Sequence, residues 1–264
     1  MENVKDNADK KALNEFRLNG TLELPMNLFE MALDECANEA RRSNEEVLEN
    51  YFINIETTHI MSMDVERAPL DNRPTLLIMA GPNGAGKTTI MTHLAKHGWL
   101  KGMVYQNQDF IAQNLYGGWN DDDAIRKSGI YCHEEREACL REMKSIAFET
   151  VSGVSKLDFV KRAKAAGYHV IYIYVSTYSP TVHASRVAIR VMKGGHSIPV
   201  KTIISRYMES LLNSRALVKV ADVSYIYDNS LHNHAPSLLM TFRGGELDKQ
   251  FVTPLPRWAQ SILE

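Results

Sequence analysis

Residues 81–88, Gly81-Pro82-Asn83-Gly84-Ala85-Gly86-Lys87-Thr88, match G-x-x-x-x-G-K-[ST] at every specified place. No other feature constrains the chain so tightly, because the pattern works only as a turn from a strand into a helix. Its glycines let successive backbone N–H groups converge on phosphate oxygens without Cβ clashes, and the following helix adds the partial positive charge of its N-terminus. Lys87 is long enough to reach β- and γ-phosphates, the Thr88 hydroxyl is a ligand for Mg2+, and Thr89 continues into the helix. The flanks agree. Residues 75–80 form a continuous apolar run, as expected of a strand buried on both faces, and residues 87–96 have a helical pattern. ATP or GTP with Mg2+ follows from this stretch.

Further apolar runs at 102–105, 145–148, 168–175 and 223–227, with a polar-edged one at 238–242, are separated by helical patterns at 134–144, 156–166, 181–192 and 200–218. Strands alternating with helices predict an α/β fold, a P-loop NTPase parallel sheet flanked by helices. Upstream the period is different. Leu28, Met31, Ala32 and Cys36 recur at helical spacing, and Ser43 with Glu46 forms a capping box ahead of Val47, Tyr51 and Ile55. Pro69 and Pro74 end that pattern. The chain therefore reads as a small helical N-terminal domain, residues 1–70, before a P-loop domain over 71–264.

Composition excludes several classes. With 30 Lys/Arg against 32 Asp/Glu, the chain is no nucleic-acid binder by charge. The three cysteines form no C-x-x-C pair, against both a disulfide framework and structural zinc. His232/His234 and Cys132-His133 also lack zinc-like spacing and read as loop or surface positions. No apolar run approaches the roughly 20 residues of a membrane span, and the charged start is unlike a signal peptide, so a cytoplasmic protein with no membrane partner is expected. Charge is unevenly divided. Residues 1–70 hold seven Lys/Arg against fifteen Asp/Glu, a net of −8; with −2 overall, the remainder carries +6. The two parts could attract each other, or the second could take a polyanionic ligand.

A P-loop does not name a reaction. The wording 81–89 is common in ABC-type transport ATPases, but no LSGGQ-like signature or Asp-Glu strand end accompanies it. Two acids stand near strand ends: Asp109, 22 residues after Lys87, and Glu149. A carboxylate there can take the proton of an acceptor hydroxyl, cap a helix, or support Mg2+. Arg186 and Arg190 share a helix face at i, i+4, and Lys193, His196 and Arg206 extend the positive cluster. Gly194-Gly195 reads equally as a lid hinge or a helix C-cap. Asp121–Asp123 read as a helix-starting acidic loop, and Tyr168, Tyr172 and Tyr174 as packing. Asp228-Asn229-Ser230 either edges an adenine pocket or makes a turn.

The ordered set of the P-loop, Asn107-x-Asp109, Phe148-Glu149-Thr150-x-Ser152-Gly153, Arg186-Val187-x-x-Arg190-Val191-x-x-Gly194-Gly195-His196-x-x-Pro199 and Arg206-Tyr207 resembles the zeta-toxin family of P-loop kinases, in its "predicted ABC-type ATPase" subgroup. The resemblance spans about residues 74–230. It implies a toxin that phosphorylates a hydroxyl of UDP-N-acetylglucosamine with ATP. Asp109 would be the base, Glu149, Thr150 and His196 would serve the acceptor or order the site, and Arg186 and Arg190 would stabilise the transferring group. Two departures stand out: Gln106-Asn107-Gln108 precedes Asp109 where such toxins have a second acid, and His196 replaces another arginine. A dinucleotide such as NAD as acceptor, or a nucleotide-switched ATPase without acceptor, are the alternatives, and acceptor choice is assigned to loops between 110 and 135. Family toxins are restrained by a small helical antitoxin at the nucleotide site. Residues 1–70 are accordingly expected either to inhibit in cis or to be a plain helical extension.

Overall fold

The computed structural model describes residues 73–263 other than 119, 152, 153, 193, 232 and 233. The expected helical domain over 1–70, and the readings of Lys193 and His232, lie outside the described residues. Thr75–Ala80 (β1) is buried at all six positions, so it must lie inside a sheet covered on both faces. It pairs in parallel with Ile146–Thr150 (β3) on one side and His169–Ser176 (β4) on the other. Val104–Gln106 (β2) flanks β3, and Val223–Asp228 (β5) flanks β4, also in parallel. Two further strands, Ser237–Arg243 (β6) and Glu246–Gln250 (β7), add antiparallel, giving the order β2-β3-β1-β4-β5-β6-β7. The sheet is therefore mixed, with a five-stranded parallel centre of the kind expected and a hairpin extending one edge.

Side chains of β1 alternate between two cores. Leu76, Ile78 and Ala80 join Phe148, Tyr172 and Tyr174 beneath Val154–Ala165 (α4), Val200–Val220 (α6) and Arg257–Leu263 (α7). Leu77 and Met79 face Ile90, Met91 and Leu94 of Lys87–Lys96 (α1). The tyrosines of 168–174 are packing residues, as read: Tyr168 donates to the Cys139 and Lys144 carbonyls, and Tyr174 bonds Ser210.

Most of the stretch 110–135 is helix rather than the loops expected. Gln108–Tyr116 (α2) and Asp122–Arg141 (α3) take up all but the short connection between them. Asp121 caps α3, accepting from the Asp123 amide at 2.9 Å, so the acidic run does start a helix. That helix begins twelve residues earlier than its apolar pattern, because its buried face is Ala124, Ser128, Cys132, Arg136 and Cys139, a stripe too small and polar to register as amphipathic. Cys132 is consequently buried within a helix rather than at the surface, while His133 and His234 are exposed. Pro180–Met192 (α5) completes the fold. No helix among the described residues is long and apolar enough to cross a membrane.

Candidate active site

In a parallel sheet the carboxyl edge is where ligands bind, and register sets Ala80, Thr150 and Tyr174 level along it. The P-loop leaves β1 there. Gly81 N donates to the Thr150 carbonyl, so β3 anchors the loop's start through backbone. The loop's far end is braced by Asn229, beyond β5, whose Nδ2 donates to the Ala85 carbonyl at 2.8 Å. Gly86 caps α1 at φ 93°, and a Cβ there would lie 2.4 Å from that Asn229 nitrogen. Asp228 makes the turn, accepting from Ser230 N at 2.6 Å and from Trp258 Nε1 at 3.1 Å.

Lys87 is the centre of the site. Its Nζ donates to the Gly81 and Pro82 carbonyls at 2.9 and 3.0 Å. Burial pushes its ammonium down to about 8; Glu149 and Asp109 oppose that shift, while Arg190 and Arg206 add to it. Four charges from β3, α2, α5 and α6 thus converge on the P-loop lysine of α1.

Thr88 Oγ1 donates to Glu149 Oε2 at 2.8 Å, and the Tyr105 hydroxyl donates to the other carboxylate oxygen. Burial and the Glu149 charge push that phenol well above its usual range. Glu149 lies within β3, not past its end, and directs its carboxylate at the Thr88 hydroxyl. Hard oxygens from one hydroxyl and one carboxylate are of the kind that suits Mg2+. Among the described residues no group of three or more His, Cys, Asp or Glu forms a protein-only metal cage.

Asp109 stands in the first turn of α2. The capping role is taken by Asn107, whose Oδ1 accepts from the Asp109 and Phe110 amides at 3.0 and 3.3 Å. The Asp109 carboxylate is therefore not the cap, and its charge favours the Lys87 ammonium.

The basic helix divides into separate tasks. Arg206 Nη1 donates to Asn83 Oδ1 at 3.1 Å, clamping the P-loop from α6. Arg190 adds its charge to the field at Lys87, its Nη2 donates to the His196 carbonyl at 3.1 Å, and Gly195 N returns to the Arg190 carbonyl. Gly194-Gly195 is thus a C-cap, and the described contact of His196 with the site is through its backbone. Arg186 sits half-buried one turn earlier, beside His183. His183 is fully buried against Tyr207, ring centroids 5.3 Å apart. Burial, then Arg186 and Lys87, push its pKa down to about 3, so the imidazole is neutral at any physiological pH.

Between the end of α2 and the segment after α5 lies an open cleft of about 390 Å³, lined by Gln113, Gly117, Gly118, Asn120, Asp121 and Gly194. Asn120, one of its lining residues, accepts from Ser197 N through Oδ1 at 3.1 Å. Gln113 is one turn beyond Asp109, so both lie on one side of α2.

Sequence reasoning did not find Tyr105 or His183 as site residues, and it offered Asn229 only within a triplet that edges an adenine pocket or makes a turn, not as the brace of the P-loop. Tyr105 and His183 acquire a role solely through strand register and helix packing.

The arrangement has relatives among solved structures. A chain of the native AvrRxo1-ORF1:-ORF2 complex matches at TM-score 0.53, with 19% identity over 72% of this chain and 64% of that one. The same complex with ATP matches at TM-score 0.51 and 18% identity, over 67% and 60%. This is a P-loop NTPase fold. A chain of the PezAT chromosomal toxin-antitoxin system of Streptococcus pneumoniae aligns with 15% identity over 75% of this chain and 82% of that one, at TM-score 0.48. This P-loop chain spans about 60% of the length of the first AvrRxo1 chain it matches. No protein-family model and no curated protein sequence matches it.

The depressed Lys87 gives a pH prediction. Bound phosphate favours the ammonium form, so nucleotide binding raises the lysine's pKa and takes up a proton wherever the free lysine is deprotonated. At pH 8.5, calorimetry in buffers of different ionisation enthalpy should register roughly three-quarters of a proton taken up per ATP. At pH 6.5 uptake by this group should vanish, and affinity should fall as pH climbs past about 8. Uptake at pH 8.5 that persists in Lys87→Met would assign the proton elsewhere.

Proposed function

We propose that this chain is an ATP-dependent kinase that phosphorylates a hydroxyl of a nucleotide-linked acceptor, with UDP-N-acetylglucosamine the first candidate. The observation that carries the reading is the convergence of Asp109, Glu149, Arg190 and Arg206 on Lys87. Phosphoryl transfer needs cations around a group in flight and one carboxylate for the incoming hydroxyl. ATP is favoured as donor because a fold relative was solved with it. The acceptor and the toxin role rest on the ordered motifs that resemble the zeta-toxin family.

In this reading Lys87 and the loop amides hold the β/γ-phosphates, and Arg206 keeps Asn83 and the loop in shape. Thr88, backed by Glu149, would hold Mg2+, which supplies charge neutralisation between the phosphates. The acceptor lies along α2, where Asp109 takes the hydroxyl proton as its oxygen attacks in line with the departing ADP. Arg190 and Arg186 stabilise the equatorial oxygens. Incubation with Mg-ATP and a panel of nucleotide sugars and dinucleotides tests this: one product should gain the mass of a phosphate. ATP turnover without any phosphorylated acceptor would favour a plain ATPase.

Residues 1–70 are proposed to restrain the kinase in cis, on the strength of their −8 against +6. Charge of this kind orients docking more than it tightens it. A chain beginning at Pro74 should then bind ATP more tightly and slow growth more than the full chain on expression. Equal activity and growth would leave the segment a structural role.

A further inference from the structure

Strand alternation sends consecutive side chains of β2 to opposite faces of the sheet. Gln106 goes to one face, where its amide accepts from Arg136 Nη1 and donates to Glu135 Oε2, both on α3. Tyr105 goes to the other, which α1 covers. It is level there with Ala147, which packs with Ile90 and Leu94, and Glu149 is two residues further along β3 on the same side. Two residues of strand span about 6.6 Å. The phenol is long enough for that reach, and its hydroxyl donates to Glu149 Oε1.

Packing does not require this bond. Tyr105 lies on an edge strand and is 37% exposed, so water could satisfy its hydroxyl. The need is on the side of Glu149, a half-buried and flexible carboxylate with two neighbours to choose from. Thr88 Oγ1 donates to Oε2, while Lys87 is close enough that the Glu149 charge is the strongest electrostatic support of its ammonium. A carboxylate free to turn can pair with that ammonium and leave Thr88. In the structure it does not turn. Thr88 and Tyr105 occupy one oxygen each, and the Lys87 ammonium donates to the Gly81 and Pro82 carbonyls.

This matters to a cation at Thr88. A hydroxyl has one proton and two lone pairs, so giving the proton to Glu149 leaves the lone pairs for a metal. Groups that orient a metal ligand from behind tune affinity nearly as much as the ligand does.

We propose that Tyr105 is a positioning residue for the Mg2+ side of the nucleotide site: it holds Glu149 on Thr88, and so fixes the threonine hydroxyl as a ligand. The inference rests on the Mg-ATP part of the kinase reading and on nothing about the acceptor.

The test uses the full chain and a non-hydrolysable ATP analogue, titrated by calorimetry in EDTA and then over a series of Mg2+ concentrations. Mg2+ should tighten analogue binding to wild type. Tyr105→Phe keeps the ring and loses the bond. In EDTA it should bind the analogue within about twofold of wild type. The tightening conferred by Mg2+ should fall about tenfold, the lower end of what loss of such an outer partner costs. Its melting temperature should stay within about 4 °C of wild type. Because the tyrosine acts through Glu149, it should have nothing left to hold once that carboxylate is gone. The Mg2+ effect in Tyr105→Phe/Glu149→Gln should therefore equal that in Glu149→Gln alone.

Undiminished Mg2+ tightening in Tyr105→Phe, or a further loss in the double variant, would overturn the role. Equal losses with and without Mg2+, together with a lower melting temperature, would make Tyr105 a packing residue and overturn it as well. A wild type indifferent to Mg2+ would overturn the metal reading, and this role with it. A chain that shows the Mg2+ effects but phosphorylates no acceptor retires the kinase and keeps Tyr105 in place.

Discussion

Lys87→Met is expected to cut phosphoryl transfer by about 10²–10³-fold or more and to weaken ATP binding with it. The lysine is the only cation carried by the phosphate loop itself, and it is held by the Gly81 and Pro82 carbonyls at the loop's mouth. The fold should tolerate the loss. The native state disfavours the ammonium, holding its pKa near 8 rather than 10.5, so below pH 8 the charged lysine costs stability relative to the unfolded chain. That cost fades as pH rises from about 8 toward 10.5. Methionine removes it, so the melting temperature at pH 7 should hold or rise while turnover collapses. ATP affinity and turnover both equal to wild type would refute the assignment.

Asp109→Asn should separate binding from chemistry. The amide keeps the shape and sits outside the cap made by Asn107, so α2 should stay intact. ATP should bind about as well as before, while acceptor phosphorylation falls by about 10²–10⁴-fold, the usual loss for a general base. Single-turnover measurement with saturating ATP and acceptor distinguishes this from weakened binding. Near-normal transfer by the variant would remove Asp109 from the role and leave Glu149 the remaining carboxylate.

The P-loop and its flanks were legible because their chemistry is local: glycine torsions, a lysine and an apolar strand stand within fifteen residues. The central strands were legible for a related reason, since strands buried on both faces leave unbroken apolar runs. What stayed hidden was set by neighbours distant in sequence. β7 is exposed at all five positions, so it has no buried face to write an alternation into Glu246–Gln250. α7 is seven residues behind Pro254 and Pro256, and it declares itself only by seating Trp258 against Tyr174 and Asp228. α2 buries Ala112 alone, so it has no apolar stripe to announce it in the sequence.

The site divides along the same line. Asp109 and Glu149 could be picked out as acids near strand ends, but nothing local said that Asn107 does the capping or that Glu149 grips Thr88. Those assignments need β2, β3 and α1 side by side. Arg186 and Arg190 look equivalent at helical spacing, yet three-dimensional packing puts one beside His183 and the other at the Gly194-Gly195 cap.

That inequality has a mechanical meaning. A Cβ at Gly84 would sit 2.6 Å from the His183 carbonyl oxygen, so the phosphate loop and the first turn of α5 are in backbone contact. The helix is therefore a lever pinned at its root. At 1.5 Å per residue, Arg186 lies about 4–5 Å along the axis from His183 and Arg190 about 10 Å. A tilt of roughly 10° about the pin carries the Arg190 Cα by about 2 Å and the Arg186 Cα by less than about 1 Å. Under such a tilt Arg186 would stay nearly in place while Arg190 moved. A bulkier residue at 84 would have to displace the His183 backbone and loosen that contact.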